Sequence, residues 1–288
     1  MTGYRKWLLI VLALVLALAL ALGVTGCASD DAADVDDAAV VTGDADLTVL
    51  KVGASPAPHA EILDTVSEQL LAEGIKLEII EFSDYVQPNE ALQSGELDAN
   101  FFQHVPYLTN FNEENNTDLV DVLAVHFEPL TIYAGTSDDL SKIADGAKIA
   151  IPNDATNEAR ALLLLEAEGL IKLSDDAGIT ATPQDVVDNP HNIEFIEAEA
   201  AMLPRMLEDA DFAVINGNFA LSSGIDADLA LASESADSTA ANEYANVLVV
   251  KEGRENDAAI LALIDALKSE GVRNFIEKTY AGVVVPVF

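Results

Sequence analysis

Cysteine is almost missing: the 288 residues contain one, at position 27. A single thiol excludes an intramolecular disulfide framework and any zinc centre built on paired cysteines. Basic side chains are scarce too, 14 Lys and Arg against 50 Asp and Glu, for a formal charge of −36. So acidic a surface repels nucleic acid, acidic lipids and anionic solutes, which leaves neutral, cationic or zwitterionic small molecules as the better ligands. No Gly-rich phosphate loop, H-E-x-x-H or G-x-S-x-G occurs. The acidic pairs Asp30-Asp31 and Asp36-Asp37 lack the ordered spacing of a calcium loop and read as solvated chain. These absences predict no enzyme, no cofactor, no metal site and no internal repeat. The one long apolar run, Trp7 to Leu22, has 16 residues, short of the ~18–20 that a spanning helix needs.

What surrounds that run gives it a role. Arg5 and Lys6 precede it, and the small residues Gly23-Val24-Thr25-Gly26 lead to Cys27. This is the layout of a lipoprotein signal, residues 1–26, with Cys27 lipidated as the mature N-terminus and the protein held on the extracytoplasmic face of the cell membrane. The competing reading is an uncleaved anchor, and the placement of the sole cysteine favours the lipoprotein. Processing removes two of the 14 basic residues and none of the 50 acidic ones, leaving 12 against 50, or −38. Residues 27–46, rich in Ala and Asp without an aromatic, read as an extended tether.

From Leu47 onward strands alternate with helices. A strand over Leu47–Gly53 is followed by an amphipathic helix presenting Ile62, Leu63, Val66, Leu70 and Leu71, a stop at Gly74, and a strand over Ile75–Phe82. That is a βαβ unit with parallel strands. His59, near the helix start, is expected to cap or face solvent. Further strands are predicted over Leu119–Val125, Pro129–Gly135, Lys148–Ile151, Ile193–Ile196, Ala213–Ile215 and Val247–Val250. Helices are predicted from the Asp154–Thr156 cap to Glu168, near Met202–Leu207, over Asn256–Lys268 and near Phe275–Tyr280. The pattern predicts an α/β protein of two lobes: residues 47–133, then 134–246, then a return segment 247–288 to the first lobe.

The stretch from Asp84 to Leu108 stands out. In a chain only 6% aromatic it gathers Tyr85, Phe101, Phe102, His104 and Tyr107. Pro88 suits a first helical turn and Gly95 a helix stop. Leu97, Ala99 and Phe101 then alternate with Asp98, Asn100 and Phe102, which places Phe102 on the polar-facing side of a strand. An aromatic on that side, followed by His, Pro and Tyr, reads as the wall of a site. The competing reading is a core strand with two spare aromatics. Arg160 is the second singular residue, a rare cation in the first turn of a helix behind the loop Pro152–Asn157. A guanidinium beside unpaired helix N–H groups suits a carboxylate, although an internal ion pair with one of the many acids is the blander alternative.

The runs YVQPNEAL and DANFFQHVPYL, and later AIPNDATNEARALLLLEAEGLIKL (150–173), VVDNPHNIEF (186–195), AEAAMLPRMLEDADFAVINGNFA (198–220) and YANVLVV (244–250), resemble the NlpA family of lipoproteins, the MetQ-type methionine-binding components of ABC importers. The resemblance covers residues 48–288. It implies a bilobed periplasmic-binding-protein fold with two crossover segments and a ligand cleft. It also implies a monomer that delivers methionine, L or D, to a membrane permease and its ATPase. By resemblance Asn157 and Arg160 bind the ligand carboxylate, Asn216 and Asn246 its charged end, and Tyr85, Phe102, His104 and Tyr107 line the rest of the pocket. Rings suit a thioether, which gains roughly 0.3–1.5 kcal/mol against a ring edge. Phe101, bulkier than the family's usual residue, should point away from the cleft. Phe219 stands where the family often has Tyr, and Gly217-Asn218 is an unusual pair. Alternatives are the same module for another apolar amino acid or a methionine-containing dipeptide, or a surface lipoprotein used in adhesion or interaction.

Overall fold

The computed structural model describes residues 47–235 and 243–288, all within one compact unit spanning Asp44–Phe288. The signal region, the lipidation site at Cys27 and the tether lie outside the described residues. Among those described, no helix is long and apolar enough to cross a membrane.

The chain builds two mixed sheets in turn. It begins with β1 (Thr48–Ala54), β2 (Ile75–Glu81), β3 (Ala99–His104) and β4 (Leu119–Phe127). It then moves to β5 (Thr131–Ala134), β6 (Lys148–Pro152), a small ribbon of β7 (Lys172–Leu173) and β8 (Val186–Asp188), β9 (Glu194–Ala198), β10 (Phe212–Ile215) and β11 (Ala230–Ser233). Finally β12 (Ala245–Lys251) and β13 (Val285–Pro286) return. The first sheet has the order β13-β4-β12-β3-β1-β2 and the second β11-β5-β10-β6-β9. β1 runs parallel to β2 and β3, as a βαβ unit requires, while β12 is antiparallel to both β3 and β4. The chain leaves the first sheet through Glu128-Pro129-Leu130 and re-enters it at Ala245, so the predicted lobe boundary at 133/134 falls inside β5, a strand wholly of the second sheet.

Helices cover both faces of the first sheet. Between β1 and β2 lie three short helical pieces, Pro56–Ala60, Glu61–Asp64 and Ser67–Ala72. One helix was expected here; it breaks where Thr65 Oγ1 donates back to the Ile62 carbonyl at 2.6 Å, a local bond that competes with the helical ladder. Ile62, Leu63, Val66 and Leu70 face the core as predicted, but Leu71 is 50% exposed. Further helices are α1 (Gln87–Ser94), α2 (Val105–Asn115), α3 (Ala155–Ala167), the short α4 (Gly217–Ser222), α5 (Ala258–Leu267) and α6 (Glu270–Tyr280).

β3 is buried on both faces and divides two cores. Ala99 and Phe101 join Leu50, Val52, Leu63, Leu263 and Ile276 on one side; Phe102 joins Leu97, Leu108, Phe111 and Val249 on the other. Strand alternation therefore sends Phe101 into the interior, away from the cavity described below. A ring with no exposure contributes several kcal/mol, and truncation of such a Phe to Ala costs about 3–5 kcal/mol. In the second sheet α3 packs Leu162 and Leu165 onto Ile149, Ile151 and Phe212. The opposite face carries Tyr133, Ala150, Ile215 and Phe219.

Candidate functional site

Each of the eight residues singled out in the sequence lines one cavity enclosing about 340 Å³ of unfilled space: Tyr85, Phe102, His104, Tyr107, Asn157, Arg160, Asn216 and Asn246. Gln103, Glu128, Gly217 and Asn218 complete the lining. The contributing segments are the ends of β3 and β10, the start of α3, the beginning of β12 and the Glu128 crossover. Residues from both sheets thus meet at one place.

The first end is made of rings. Tyr85 stands 5.9 Å from Phe102, 5.7 Å from Tyr107 and 4.8 Å from Phe219 between centroids, in tilted or edge-on arrangements. Tyr107 Oη donates to the Tyr85 carbonyl (3.0 Å) and Tyr85 Oη donates to Asn218 Oδ1 (2.5 Å), so both hydroxyls are used in fixing the wall. Burial pushes both phenols well above their ordinary range, which keeps them neutral donors. Behind the wall, Asn89, Asn100 and Gln103 form a buried amide network with bonds of 2.7–3.0 Å that ties α1 to β3. This network accounts for the Asn and Gln of the PNEAL and DANFFQH runs, a role that sequence reading missed.

The second end is polar. Asp154 caps α3 by accepting from the Asn157 N–H (3.0 Å), and its carboxylate also takes Asn157 Nδ2. Asn157 Oδ1 accepts from Asn216 Nδ2 (2.8 Å) and lies 3.2 Å from His104 Nε2. His104 Nδ1 in turn accepts from the Tyr107 N–H at the start of α2 (3.1 Å), which requires the proton on Nε2. Burial, then the nearby Arg160 charge, lowers the His104 pKa to about 3, so the ring is neutral. Asn157 is thereby tied to Asp154, Asn216 and His104 at the cavity wall.

Arg160 is buried beside the Tyr244 ring, 4.5 Å from its centroid. Its Nε donates to Glu234 Oε1 (2.8 Å), and Nη2 donates to Glu234 Oε2 (2.5 Å) and to the Glu128 carbonyl (2.8 Å). The internal ion pair, weighed as the blander reading from sequence, is present, and it comes from an acid 74 residues away. Two features of the cavity remain open: Asn216 Oδ1 is a buried acceptor and Asn218 Nδ2 a buried donor, each without a hydrogen-bond partner.

Glu128 is the residue that sequence reading missed most completely. Its Oε1 accepts from His126 Nε2 (2.7 Å) and lies 3.4 Å from His59 Nε2. His59 Nε2 also lies 3.0 Å from Asn246 Oδ1. His59 is fully buried, so the expected cap or solvent role is corrected: Pro58 and Ala60 carry it inward, edge-on against Phe101 at 4.7 Å. His59, His126 and Glu128 bring three ligand-type atoms within 4.8 Å, the grouping among the described residues with metal-ligating composition. Two of those atoms, His126 Nε2 and Glu128 Oε1, are already hydrogen-bonded to each other, and His59 Nε2 is engaged by Asn246. Burial lowers His59 to about 4 and His126 to about 3, and burial raises Glu128 despite the opposing His59 and Arg160.

The whole described fold fits one family model, NlpA lipoprotein, which matches residues 50–288. The chain belongs to the NlpA lipoprotein family. Among NlpA relatives it is 46% identical over 231 residues to the membrane lipoprotein TpN32 of Treponema pallidum, covering 80% of this chain and 85% of that one. It is 39% identical over 241 residues to the methionine-binding lipoprotein MetQ of Bacillus subtilis, covering 82% and 87%. A nutrient-binding protein of Burkholderia cenocepacia, solved bound to methionine, superposes with a TM-score of 0.78 at 39% identity, covering 83% of this chain and 100% of that one. The NlpA fold is thus the bilobed binding-protein architecture expected from the sequence.

Proposed function

We propose that this protein captures methionine in the cavity between its two sheets and delivers it to an ABC permease with its ATPase. It works as a monomer held to the extracytoplasmic face of the membrane by lipid on Cys27. The lobes are the parts built on the first sheet (47 to the Glu128–Leu130 crossover, and 245–288) and on the second. Ligand contacted from both biases the molecule toward the closed form. The observation that carries the reading is the unmatched valence of the cavity. An orphan acceptor on Asn216 and an orphan donor on Asn218, with the Arg160 guanidinium beside them, share the cavity with an apolar wall of three rings. An α-amino acid with a long uncharged side chain supplies the complement of each, and the thioether gains from the rings. In this arrangement Arg160 and the amides of Asn218 and Asn246 meet the carboxylate. Asn216 Oδ1 meets the ammonium, and Tyr85, Phe102 and Tyr107 enclose the side chain.

The test is thermal and calorimetric. Mature protein stripped of ligand by unfolding and refolding should melt several degrees higher with millimolar methionine and unchanged with glutamate. Equal effects of the two amino acids, or none from methionine, would defeat the assignment.

A further inference from the structure

We infer that Glu128, clamped between His126 and His59, is the anionic half of the head-group site: its carboxylate accepts the α-ammonium of the bound amino acid. The clamp makes the protein select for a free, charged amino group. This rests on the amino-acid reading of the cavity given above and adds to it a residue, a charge requirement and two positioning histidines.

Four observations support it. First, hydrogen-bond polarity. Asn246 Oδ1 and Glu128 Oε1 are acceptors, so His59 and His126 both carry their protons on Nε2. Both unpartnered Nδ1 atoms agree with that tautomer. The His126 N–H donates to Glu128 Oε1, the Asn218 backbone N–H donates to the same carboxylate, and the His59 N–H, which donates to Asn246, stands 3.4 Å from Oε1. These donors favour the ionised form against the burial that raises its pKa. Second, the charge count. The guanidinium of Arg160 is already matched by Glu234, so among the described residues Glu128 is a buried carboxylate held by neutral donors without a full cation of its own. Such a charge is costly to leave unpaired, and the site is completed by a cation from outside. Third, shape. A Cβ at Gly217 would stand 2.8 Å from Glu128 Oε2 and 2.9 Å from its Cβ, so only glycine lets β10 and α4 close on this side chain. The Gly217-Asn218 pair that looked unusual in the sequence is explained by that approach. Fourth, proximity. Arg160 Nη2 bonds the backbone carbonyl of Glu128 itself, and both residues line the same cavity.

The histidines act through Glu128 and do not need to touch ligand. His59 also reaches Asn246, so one ring links the outgoing crossover at Glu128 to the returning strand β12. Buried and neutral at physiological pH, the pair supplies donors without adding a charge that would repel the ammonium.

The experiment is a two-by-two calorimetric cycle on the full mature chain: wild type and Glu128→Gln, each titrated with methionine and with 4-(methylthio)butanoic acid, which lacks only the amino group. Wild type should prefer methionine by roughly tenfold to hundredfold, the range for a hydrogen bond to a charged group. In Glu128→Gln that preference should shrink to a few-fold, because the acid then loses little relative to methionine. N-acetylmethionine on wild type, which needs no variant to fold, should bind as weakly as the amine-free acid. His126→Gln should weaken methionine binding while steepening its decline toward acid pH, a readout that loose packing alone would not move. An unchanged methionine preference in Glu128→Gln, or tight binding of N-acetylmethionine by wild type, overturns the proposal. So does stoichiometric zinc uptake that competes with methionine and vanishes in Glu128→Gln, since it would make the trio a metal site. If wild type ignores methionine altogether, the function proposed above falls first and takes this inference with it.

Discussion

The ring end and the charged end of the cavity are built in opposite ways. Three of the four rings, Tyr85, Phe102 and Tyr107, come from a single stretch between residues 84 and 108, with Phe219 behind them, and they hold one another by contact and by the Tyr107 hydroxyl bond to the Tyr85 carbonyl; only the Tyr85 hydroxyl reaches outside, to Asn218. The charged end draws on six separate places: His59, Glu128, the start of α3, the end of β10, Glu234 and Asn246. Its bonds join residues 59, 74 and 187 positions apart. A wall made locally tolerates loss of one member by repacking. A polar constellation gathered from afar leaves a stranded partner whenever one member is removed. Mutations should therefore cost more at the charged end, in both affinity and stability.

Arg160→Ala gives the harshest test of that contrast. It removes the cavity's guanidinium and strands Glu234 in a nearly buried position. Methionine affinity should fall by a factor of about a hundred or more, and the fold should lose about 3–5 kcal/mol, as for breaking other buried pairs. Calorimetry and urea unfolding read the two losses separately. Restoring stability but not binding with Arg160→Ala/Glu234→Gln would assign the stability loss to the stranded carboxylate. If instead the single variant unfolded no more easily than Tyr85→Ala, the distinction between the two ends would fail.

The ends also differ in how they titrate. His104, His59 and His126 have pKa values of about 3, 4 and 3, below the ordinary 6.5, chiefly because of burial. The unfolded chain therefore takes up protons first, so the stability these rings contribute is complete above pH ~6.5 and is lost as pH falls from there toward 4 and below, by about 1.4 kcal/mol per unit for each group. Glu128, raised by burial, and Glu158, raised to about 7 by burial and then by Glu197, act with the opposite sign and offset part of the loss. A difference measurement isolates the histidine. In His104→Gln, whose amide oxygen can still accept the Tyr107 N–H, stability between pH 6.5 and 4 should fall less steeply than in wild type by about one proton. Parallel curves would show that His104 is not buried neutral.

The same contrast explains what could be read from sequence. Period-two alternation placed Phe101 inward and Phe102 toward the cavity, because a strand buried on both faces still sends successive side chains to opposite sides. Caps were legible for the same local reason: Asp154 does hold the Asn157 N–H. The α/β order was legible from apolar runs and helix stops. What escaped was non-local. Glu128 escaped because only His126 is near it in sequence, while His59 and Asn218, which complete its surroundings, lie far along the chain. The partner of Arg160 was one acid among fifty. The break at Thr65 escaped too, because a threonine hydroxyl turning back on its own helix leaves no trace in the hydrophobic period.

At the ring end the expected losses are smaller. Phe102→Ala and Tyr85→Ala should each weaken methionine binding by about tenfold, which is the combined loss of apolar burial and sulfur–ring contact. The loss should be selective: binding of alanine, which does not reach the wall, should change little. A uniform loss for both amino acids would mean that the rings shape the whole cavity rather than the side-chain end.

Phe219 should give the smallest effect of all, and it bears directly on where the ring end stops. The family often carries Tyr here, so the absent hydroxyl looks in the sequence like a lost ligand contact. In the structure the Phe219 ring backs Tyr85 at 4.8 Å and borders a neighbouring open crevice with Asp84, Val86 and Glu199, while the enclosed cavity is lined without it. A para-hydroxyl added to Phe219 therefore gains no route to the head group, and the Tyr85 hydroxyl is already committed to Asn218. Phe219→Tyr should leave methionine affinity within about twofold, since the ring does not line the enclosed cavity and a change at a site away from the ligand shifts binding by only about ±0.5 kcal/mol. A tenfold change in either direction would move the boundary of the site outward to include the crevice, and Tyr85 would then be a shared partition between two ligand compartments.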